Sequence, residues 1–371
     1  MNIVILRDNL REGLTTVERG VTETGTLPIL KNILIRAEGT KVTFSATNLE
    51  IGITKTVPAK VIREGSISIP FATLKSIVVN IDAERIVVET DATTLTVSTD
   101  SYTARIQGIR AEDFPIIPTI STDTPALNMK ASVLQGALAD VVGAAQVSEI
   151  RPEISGVLLD AQVTVLTFVA TDSFRLAQRK LYNRDFETTL TTGARIIIPL
   201  KAAHEVVRIL PGDRTVEVFF DDTQVLFTTG DTRIVSRLIG GAYPDYEQII
   251  PKGTDSELTI EREKLMSALK LVSSFAGRVN EVKVRLNEDG KTIEVHAAHQ
   301  YAGENSYLVP VKATGEAFKE VEFNWRYLMD GVRAITSKHV VLGINSESKP
   351  SVITSPEDDA YLYIVMPIKS S

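Results

Sequence analysis

The chain has 371 residues, 43% hydrophobic and 23% charged, a composition typical of an ordinary globular protein. It is too long for one ordinary core, so its length predicts two or three domains. The absence of cysteine excludes a disulfide scaffold, a thiolate metal site and a cysteine nucleophile, and the net charge of −7 argues against a strongly basic nucleic-acid-binding domain.

The N-terminal region meets charge too early for a signal peptide, because Arg7 and Asp8 follow directly on a short apolar stretch. No apolar run approaches the roughly 20 residues that a membrane-spanning helix needs, and the best candidate, residues 134–147, is interrupted by Asp140. We therefore expect a cytoplasmic protein without a membrane partner.

Two helical patterns recur three times along the chain. Apolar residues spaced i, i+4, i+7 and i+11 occur at Leu10, Leu14, Val17 and Val21, at Leu134, Leu138, Val141 and Ala145, and at Leu265, Leu269, Val272 and Ala276. A second stripe, spaced i, i+4 and i+7, follows each of them at Leu74, Val78 and Ile81, at Ala203, Val207 and Leu210, and at Leu328, Val332 and Ile335. These spacings predict two amphipathic helices in each of three internal repeats.

Period-two alternation between these stripes predicts antiparallel strands, for example at residues 41–46, 216–220 and 292–296. Pro70 and Pro199 are expected in the first turn of the second helix of their copies, and Asn324 is expected to cap the third. Each copy is thus predicted as helix, about three strands, helix, about three strands. Turn-rich linkers place the boundaries of three α+β domains at 1–124, 125–253 and 254–371, and edge strands of one copy are expected to pair with the next.

Four segments carry a resemblance to a known family: GTLPILKN at residues 25–32, VATDSFRL at 169–176, YPDY at 243–246 and YIVMP at 363–367. The four segments, in this order along a threefold repeat, are similar to signatures of the bacterial DNA polymerase III beta subunits, the family of sliding clamps. The resemblance implies the DNA clamp fold, with helices on antiparallel sheets, and a head-to-tail homodimer that forms a ring around double-stranded DNA. It implies no enzymatic activity and no cofactor. The implied partners are the DNA polymerase III alpha subunit, the clamp loader, and other polymerases and repair proteins that bind through linear motifs.

The resemblance also implies a groove for partner peptides between the second and third domains, at Ile154, Thr171, Arg175, Leu176, Pro244, Ile249, Pro350, Ser351, Ile364 and Met366. Aliphatic side chains and methionine suit an adaptable pocket for leucine or phenylalanine anchors, and Arg175 is expected at the rim, holding a peptide carbonyl or carboxylate. The family usually has Gly-His where this chain has Ser173-Phe174, and often arginine where it has Gln248. We therefore expect a more apolar groove with an altered peptide preference.

Two further surfaces follow from the resemblance. The DNA-facing bore would be lined by Lys75, Lys201, Arg208, Arg326 and Arg333, making weak, salt-dependent contacts to phosphates. Family members often carry a basic residue in the loop that here contains Thr24 and Gly25, so one DNA contact is expected to be missing. The dimer seam would bring Ala104 and Ile106 against Leu271 and Val272, and it is expected to be weakened because a larger aromatic residue is common in place of Ala104.

Two alternatives belong to other functional classes. The acidic net charge and the missing loop cation would also suit a scaffold of clamp fold that binds proteins without loading on DNA. Ser267 and Lys270 match the S-x-x-K motif of acyl-enzymes, but the companion motifs are missing, so a chance match is the better interpretation. His296 and His299 are three residues apart on a predicted strand and point to opposite faces, and the acidic residues 357–359 suit a solvated turn, so no metal site is predicted.

Overall fold

The computed structural model describes residues 1–22 and 27–368, and each third of the chain repeats one order of elements. The first copy contains β1 Asn2–Leu6, α1 Arg7–Val17, β2 Asn32–Glu38, β3 Lys41–Thr47, β4 Ile51–Pro58, β5 Lys60–Arg63, β6 Gly65–Pro70, α2 Phe71–Asn80, β7 Arg85–Asp91, β8 Thr94–Ser98 and β9 Thr103–Gln107.

The second copy contains β10 Leu127–Lys130, α3 Ala131–Val142, β11 Gly156–Ala161, β12 Val165–Thr171, β13 Arg175–Tyr182, β14 Phe186–Thr188, β15 Ala194–Pro199, α4 Leu200–Ile209, β16 Thr215–Phe220, β17 Gln224–Thr228 and β18 Thr232–Arg237. The third contains β19 Ser256–Glu261, α5 Arg262–Val272, β20 Glu281–Leu286, β21 Thr292–His299, β22 Gly303–Gly315, β23 Glu320–Asn324, α6 Trp325–Arg333, β24 His339–Ile344, β25 Ser351–Thr354 and β26 Tyr361–Val365.

The predicted helices are confirmed, two in each copy, but the number of strands was predicted too low. The first two copies have nine strands each and the third has eight, within the described part of the chain, where about six per copy were expected. The additional strands are short and lead directly into a helix or another strand, as β1 leads into α1 without an intervening turn residue. In the third copy, one long strand, β22, takes the place of two.

Residues Met1–Gln135, Phe186–Leu190 and Glu205–Leu238 form one compact unit. It contains a five-stranded sheet, in the order β5-β1-β7-β8-β9, and a nine-stranded sheet, in the order β14-β10-β16-β17-β18-β4-β3-β2-β6. The nine-stranded sheet is continuous across two copies because β18 pairs antiparallel with β4, with Ile234 opposite Ile53. Edge pairing between neighbouring copies is therefore confirmed.

Residues Gly136–Asp185, Thr191–His204 and Ile239–Ser371 form a second compact unit, as far as they are described. Its strands follow the order β15-β11-β12-β13-β26-β25-β24-β19-β22-β21-β20-β23. Here β13 pairs antiparallel with β26, with Leu176 opposite Ile364. The second and third copies are thus joined as the first and second are.

The helices pack on the sheets through the predicted stripes, with Leu10 and Leu14 of α1 each 2% exposed. Close approach requires glycine at Gly13, where an added Cβ would lie 2.4 Å from the ring of Phe44. Asn324 caps α6 as predicted, its side chain accepting a hydrogen bond from the Arg326 N–H at 3.0 Å. Pro70 precedes α2 by one residue instead of occupying its first turn. No helix in residues 1–22 and 27–368 combines the length and hydropathy of a membrane span.

Candidate functional site

An apolar cluster, here called the groove cluster, lies on one face of the sheet where the second and third copies join. It consists of Leu158, Val169, Leu176, Ile197, Tyr246 and Ile364, all buried, with Ile239, Tyr243 and Ile250 packed against it. The strands that supply most of these residues, β15, β11, β12, β13 and β26, are successive neighbours in the sheet. Alternating residues of each strand point to the same face, which brings distant parts of the sequence together.

A cavity of about 440 Å³ opens beside this cluster. Its apolar wall is formed by Leu158, Ile197, Tyr243, Pro244 and Tyr246. The Tyr243 hydroxyl donates a hydrogen bond to the Val169 carbonyl at 3.4 Å, and burial raises the pKa of Tyr243, so the phenol stays neutral. Arg195, Asp245 and Glu247 supply the charges of the lining. The cavity therefore combines an apolar floor with a polar margin, as peptide-anchor pockets do.

Several predicted groove residues meet in this region. Leu176 and Ile364 belong to the groove cluster, and Pro244 lines the cavity. Ile154 is buried at the end of a 3₁₀ turn, and Ile249 is 49% exposed at the end of another.

The remaining predicted residues shape the adjoining backbone. The Thr171 hydroxyl donates to the Arg175 carbonyl at 2.6 Å and closes the turn between β12 and β13. The Met366 N–H donates to the Phe174 carbonyl at 2.8 Å, which holds the end of β26 beside that turn. Ser351 is buried at the start of β25, opposite Val365, and the carbonyl of the preceding Pro350 accepts a hydrogen bond from Asn345.

Arg175 does not share the face of its neighbour Leu176. Its guanidinium donates to Asp172 at 2.9 Å and to Asp330 of α6 at 2.6 Å, and it lies over the ring of Tyr327 at 4.2 Å. The Arg175 side chain is only 11% exposed, and the Asp172 side chain is 2% exposed. In this arrangement Arg175 already pairs with two carboxylates and holds α6 against β13, and its contact to a partner peptide stays a prediction.

Exposed apolar side chains surround the turn between β12 and β13. Phe174 is 62% exposed, and its N–H is held by the Asp172 carboxylate at 2.9 Å. Ser173 has a φ of 78°, in the left-handed region that non-glycine residues rarely adopt. Arg151 donates to the Ser173 hydroxyl at 3.1 Å, which brings the loop bearing exposed Ile150 to this turn. The backbone of this turn is therefore held by hydrogen bonds while the Phe174 side chain extends into solvent.

The five predicted bore cations lie on the second helix of each copy. Lys75 is half-buried, pairs with Glu18 and lies over Phe71, and the other four are exposed. Arg208 and Arg333 each have a carboxylate three residues away, Glu205 at 3.6 Å and Asp330 at 4.0 Å, and Arg326 lies over the Trp325 ring. The expected loss of a cation at Thr24 and Gly25 lies outside the described residues.

The predicted seam residues differ in accessibility. Ala104 and Ile106 lie on β9, the edge strand of the five-stranded sheet, where Ala104 is partly exposed and Ile106 is 4% exposed. On α5, Leu271 is 51% exposed, whereas Val272 is completely buried in the core of its own copy.

Sequence reasoning missed much of the groove wall, namely Leu158, Ile197, Tyr243 and Tyr246. The two tyrosines were visible in the YPDY segment at residues 243–246, which flanks Pro244. Leu158 and Ile197 become recognisable only from the pairing of β11 with β15, which sets them opposite each other. No set of three or more His, Asp or Glu side chains in the described ranges is arranged to hold a metal ion.

Comparison with known proteins agrees with this architecture. Family profiles of the DNA polymerase III beta subunit match in succession, the N-terminal domain at residues 1–118, the central domain at 128–245 and the C-terminal domain at 247–369. The beta sliding clamp of Synechocystis is 30% identical over 390 residues, covering 100% of this chain and 99% of that protein. That of Staphylococcus epidermidis is 27% identical over 380 residues, covering 100% of both. The crystal structure of the Bacillus subtilis clamp superposes with a TM-score of 0.94 at 24% identity, covering 100% of both chains, and so shares the fold.

Three repeated domains, each with two helices on antiparallel sheets, define a protein of the DNA clamp fold. The chain belongs to the DNA polymerase III beta subunit family and is a sliding clamp.

Proposed function

We propose that two copies of this chain close head to tail into a ring that encircles duplex DNA and carries partner proteins without catalysing a reaction. The supporting observation is a pairing rule that the chain uses twice. The last strand of one copy pairs antiparallel with the fourth strand of the copy before it, as in β18 with β4 and β26 with β13. Two strands remain without this partner: β9 pairs only with β8, and the first half of β22 pairs only with β21, within the part of the chain described.

The internal repeat also gives the register of the proposed seam. The N–H of Ile109 donates to Ser68 at 2.8 Å, as the N–H of Ile239 donates to Ile197 at 3.0 Å, which aligns β9 with β18. Val57-Pro58 and Val309-Pro310 align β4 with β22.

In these alignments Thr103 of β9 corresponds to Arg233 of β18, and Ser306 of β22 corresponds to Thr54 of β4. Because Arg233 is paired with Thr54, Thr103 of one copy should lie opposite Ser306 of the other. Two residues along each strand, Arg105 lies opposite Glu304, which gives a cross-strand pair of opposite charge.

The same register supports the predicted contact between Ala104 and Leu271. It sets Ala104 opposite Asn305, whose side-chain amide lies 3.5 Å from the Leu271 carbonyl. Exposed Leu271 would then cover Ala104 of the other copy, beside Ile106, which is already buried in its own domain. Buried Val272 would support Leu271 from within its own domain.

In this ring, Lys75, Lys201, Arg208, Arg326 and Arg333 would face the DNA. Carboxylates near Lys75, Arg208 and Arg333 reduce their free charge, so contacts to phosphate would be weak and salt-dependent, which suits a ring that moves along DNA. The groove cluster and its cavity would bind the linear motifs of the polymerase alpha subunit, the clamp loader and other polymerases and repair proteins. The site of action would be the cytoplasm.

Disulfide trapping tests both the seam and the ring. The chain has no cysteine, so the variant T103C/S306C carries only the two thiols that the register places opposite each other. We expect oxidation to yield a covalent dimer on a non-reducing gel. The matched variant T103C/L308C, two residues out of register, should cross-link far less.

Oxidation in the presence of circular plasmid then tests encirclement. Because both seams would be closed covalently, the dimer should stay on the circle through detergent and high salt. Cutting the plasmid once should release it, and pre-cut plasmid should retain none. A fully cross-linked dimer that never remains with the circle would contradict a DNA-encircling function.

A further inference from the structure

A second cavity, here called the first-junction pocket, lies where the first and second copies join. It has a volume of about 530 Å³ and is bounded by β2, β3, β4, β17 and β18 and by the segment following β9. Its floor is a buried apolar cluster of Phe219, Leu226 and Val235, on which Ile117 and Ile120 pack.

The first-junction pocket is the repeat equivalent of the groove. Gly52 is paired with Val235 as Leu176 is paired with Ile364. Leu34 and Leu158 also occupy equivalent positions. Each lies two residues after the residue paired with the proline before the second helix, Asn32 with Pro70 and Gly156 with Pro199. Pro115 and Pro244 each follow an aromatic residue beyond the last strand of their copy. One architecture therefore forms a cavity at both junctions.

The position that Leu176 occupies in the groove is filled differently in the first-junction pocket. A Cβ added to Gly52 would lie 2.5 Å from the Ile117 side chain, so Ile117 fills the space that Leu176 occupies at the other junction. The wall formed by β3 and β4 carries hydroxyl groups: the hydroxyl oxygens of Ser45 and Thr54 lie 3.2 Å apart across the two strands. These groups can hydrogen-bond an extended peptide backbone.

The charges of the two cavities also differ. The first-junction pocket is lined by Arg36 and Arg233 against the single carboxylate of Glu112. The Arg36 side chain is 53% exposed and lies 3.8 Å from exposed Glu38, and Arg233 is exposed with no ion pair to the described residues. The groove cavity has one arginine, Arg195, already paired with Asp160 at 2.7 Å, and two carboxylates.

We infer that the first-junction pocket is a second docking site, for a short acidic peptide of a partner protein with an aliphatic anchor. The anchor would pack on Leu226, Val235 and Ile120, and carboxylates of the peptide would pair with Arg36 and Arg233, because guanidinium groups bind carboxylates through two parallel hydrogen bonds. The inference rests on the proposed function in one respect, since it takes the equivalent groove to be a peptide site.

Single-cysteine reporters distinguish the two sites, because the chain has no other thiol. Ile116, 93% exposed in the lining of the first-junction pocket, and Ile249, 49% exposed and adjacent to Ile250 beside the groove cluster, are each replaced by cysteine and labelled with an environment-sensitive dye. Each protein is titrated with a ten-residue peptide of Leu, Phe, Asp and Glu, and with its Asn/Gln counterpart. We expect the label of I116C to respond to the acidic peptide and at least tenfold less to the neutral one.

Charge reversal identifies the binding residues. R36E/R233E should weaken the response of the I116C label at least tenfold and change that of the I249C label less than twofold. R184E/R278E, matched in charge and exposed, should leave both responses unchanged.

The reporters separate failure of this inference from failure of the proposed groove. A response of the I249C label alone would refute the second site and leave the groove standing. A response of the I116C label to the acidic peptide, with no response of the I249C label to either peptide, would support the second site and contradict the groove. Equal response of the I116C label to both peptides, or no effect of R36E/R233E, would refute acidic-peptide recognition.

Discussion

Arg175 and Leu176 are neighbours in sequence, but they lie on opposite faces of β13, and only Leu176 enters the groove cluster. The period of two in a strand predicts that adjacent residues diverge, but it does not say which of them faces the pocket. That choice depends on Asp330 and Tyr327, more than 150 residues away, which position the guanidinium. The family pattern therefore predicted Leu176 and Ile364, which the structure brings together, whereas the contacts of Arg175 depend on tertiary structure that the pattern does not contain.

Replacing Arg175 by alanine should destabilise the fold. It would leave the nearly inaccessible carboxylate of Asp172 without its charge partner, and breaking such a buried pair costs about 3–5 kcal/mol. Urea unfolding followed by circular dichroism measures the loss. Arg63→Ala, which breaks the exposed pair with Glu89, should cost less than about 1 kcal/mol. Equal, small effects of the two substitutions would show that Arg175 is not structural.

Asp140 should make stability depend on pH. Burial raises the pKa of Asp140 to about 6, with Arg179 lowering it and Asp358 raising it, whereas the unfolded value is 3.8. The native state therefore binds the Asp140 proton more tightly than the unfolded state does. This tighter binding stabilises the native state fully below pH 4, and the stabilisation is lost as the pH rises from about 4 to about 6.

The substitution Asp140→Asn mimics the neutral acid and should lack this dependence. Relative to the parent protein, its free energy of unfolding should rise by up to about 3 kcal/mol between pH 4 and pH 7, at 1.36 kcal/mol per pKa unit. Urea midpoints at four pH values measure the difference. Parallel pH profiles would mean that Asp140 keeps an ordinary pKa.

At the scale of elements, the sequence predicted all six α-helices of residues 1–22 and 27–368, because their stripes bury one face over nine to twelve residues. It missed strands such as β1 and β10, five and four residues long, because each continues directly into a helix and too few residues alternate to show a period. It also missed that β22 serves two sheet regions, pairing with β21 through its first half and with β19 through its second. Strand partners of this kind are long-range contacts, which local periodicity does not contain.

The start of α6 offers a test of a single element. Asn324→Ala removes the side-chain acceptor for the Arg326 N–H and should cost about 1 kcal/mol. Asn324→Asp keeps an acceptor and should be nearly neutral. Thermal unfolding of both variants provides the measurement, and equal stability would mean that the cap contributes nothing.

At the scale of the whole molecule, the two junctions within the chain share an ionic device. Buried Lys55 pairs with Glu12 at 2.8 Å and with Asp231 at 3.1 Å, joining the first copy to the second. At the same place in β13, Arg179 pairs with Asp140 at 3.3 Å and with Asp358. The corresponding residue of β22 is Tyr307, which has no charge. The proposed seam would therefore lack the ion pairs that fasten the other junctions.

The seam register predicts a charge-swap rescue. Arg105→Glu would set two carboxylates opposite each other and should raise the dimer dissociation constant about tenfold or more, as would Glu304→Arg alone. The double variant restores the pair and should recover most of the affinity. Small-angle X-ray scattering across a dilution series reports the mass at each concentration. Additive weakening in the double variant would contradict the register.

The proposed seam would also differ from the junctions within the chain in its response to concentration. Lys55 and Arg179 fasten junctions whose two sides belong to one polypeptide, so dilution leaves them unaffected, whereas the proposed seam would obey mass action. Because the seam would rest on backbone hydrogen bonds, the contact of Leu271 and one exposed charge pair, added salt should shift this equilibrium only modestly. A ring built in this way would open at either of its two seams, where Tyr307 stands in place of the paired cation of the other junctions.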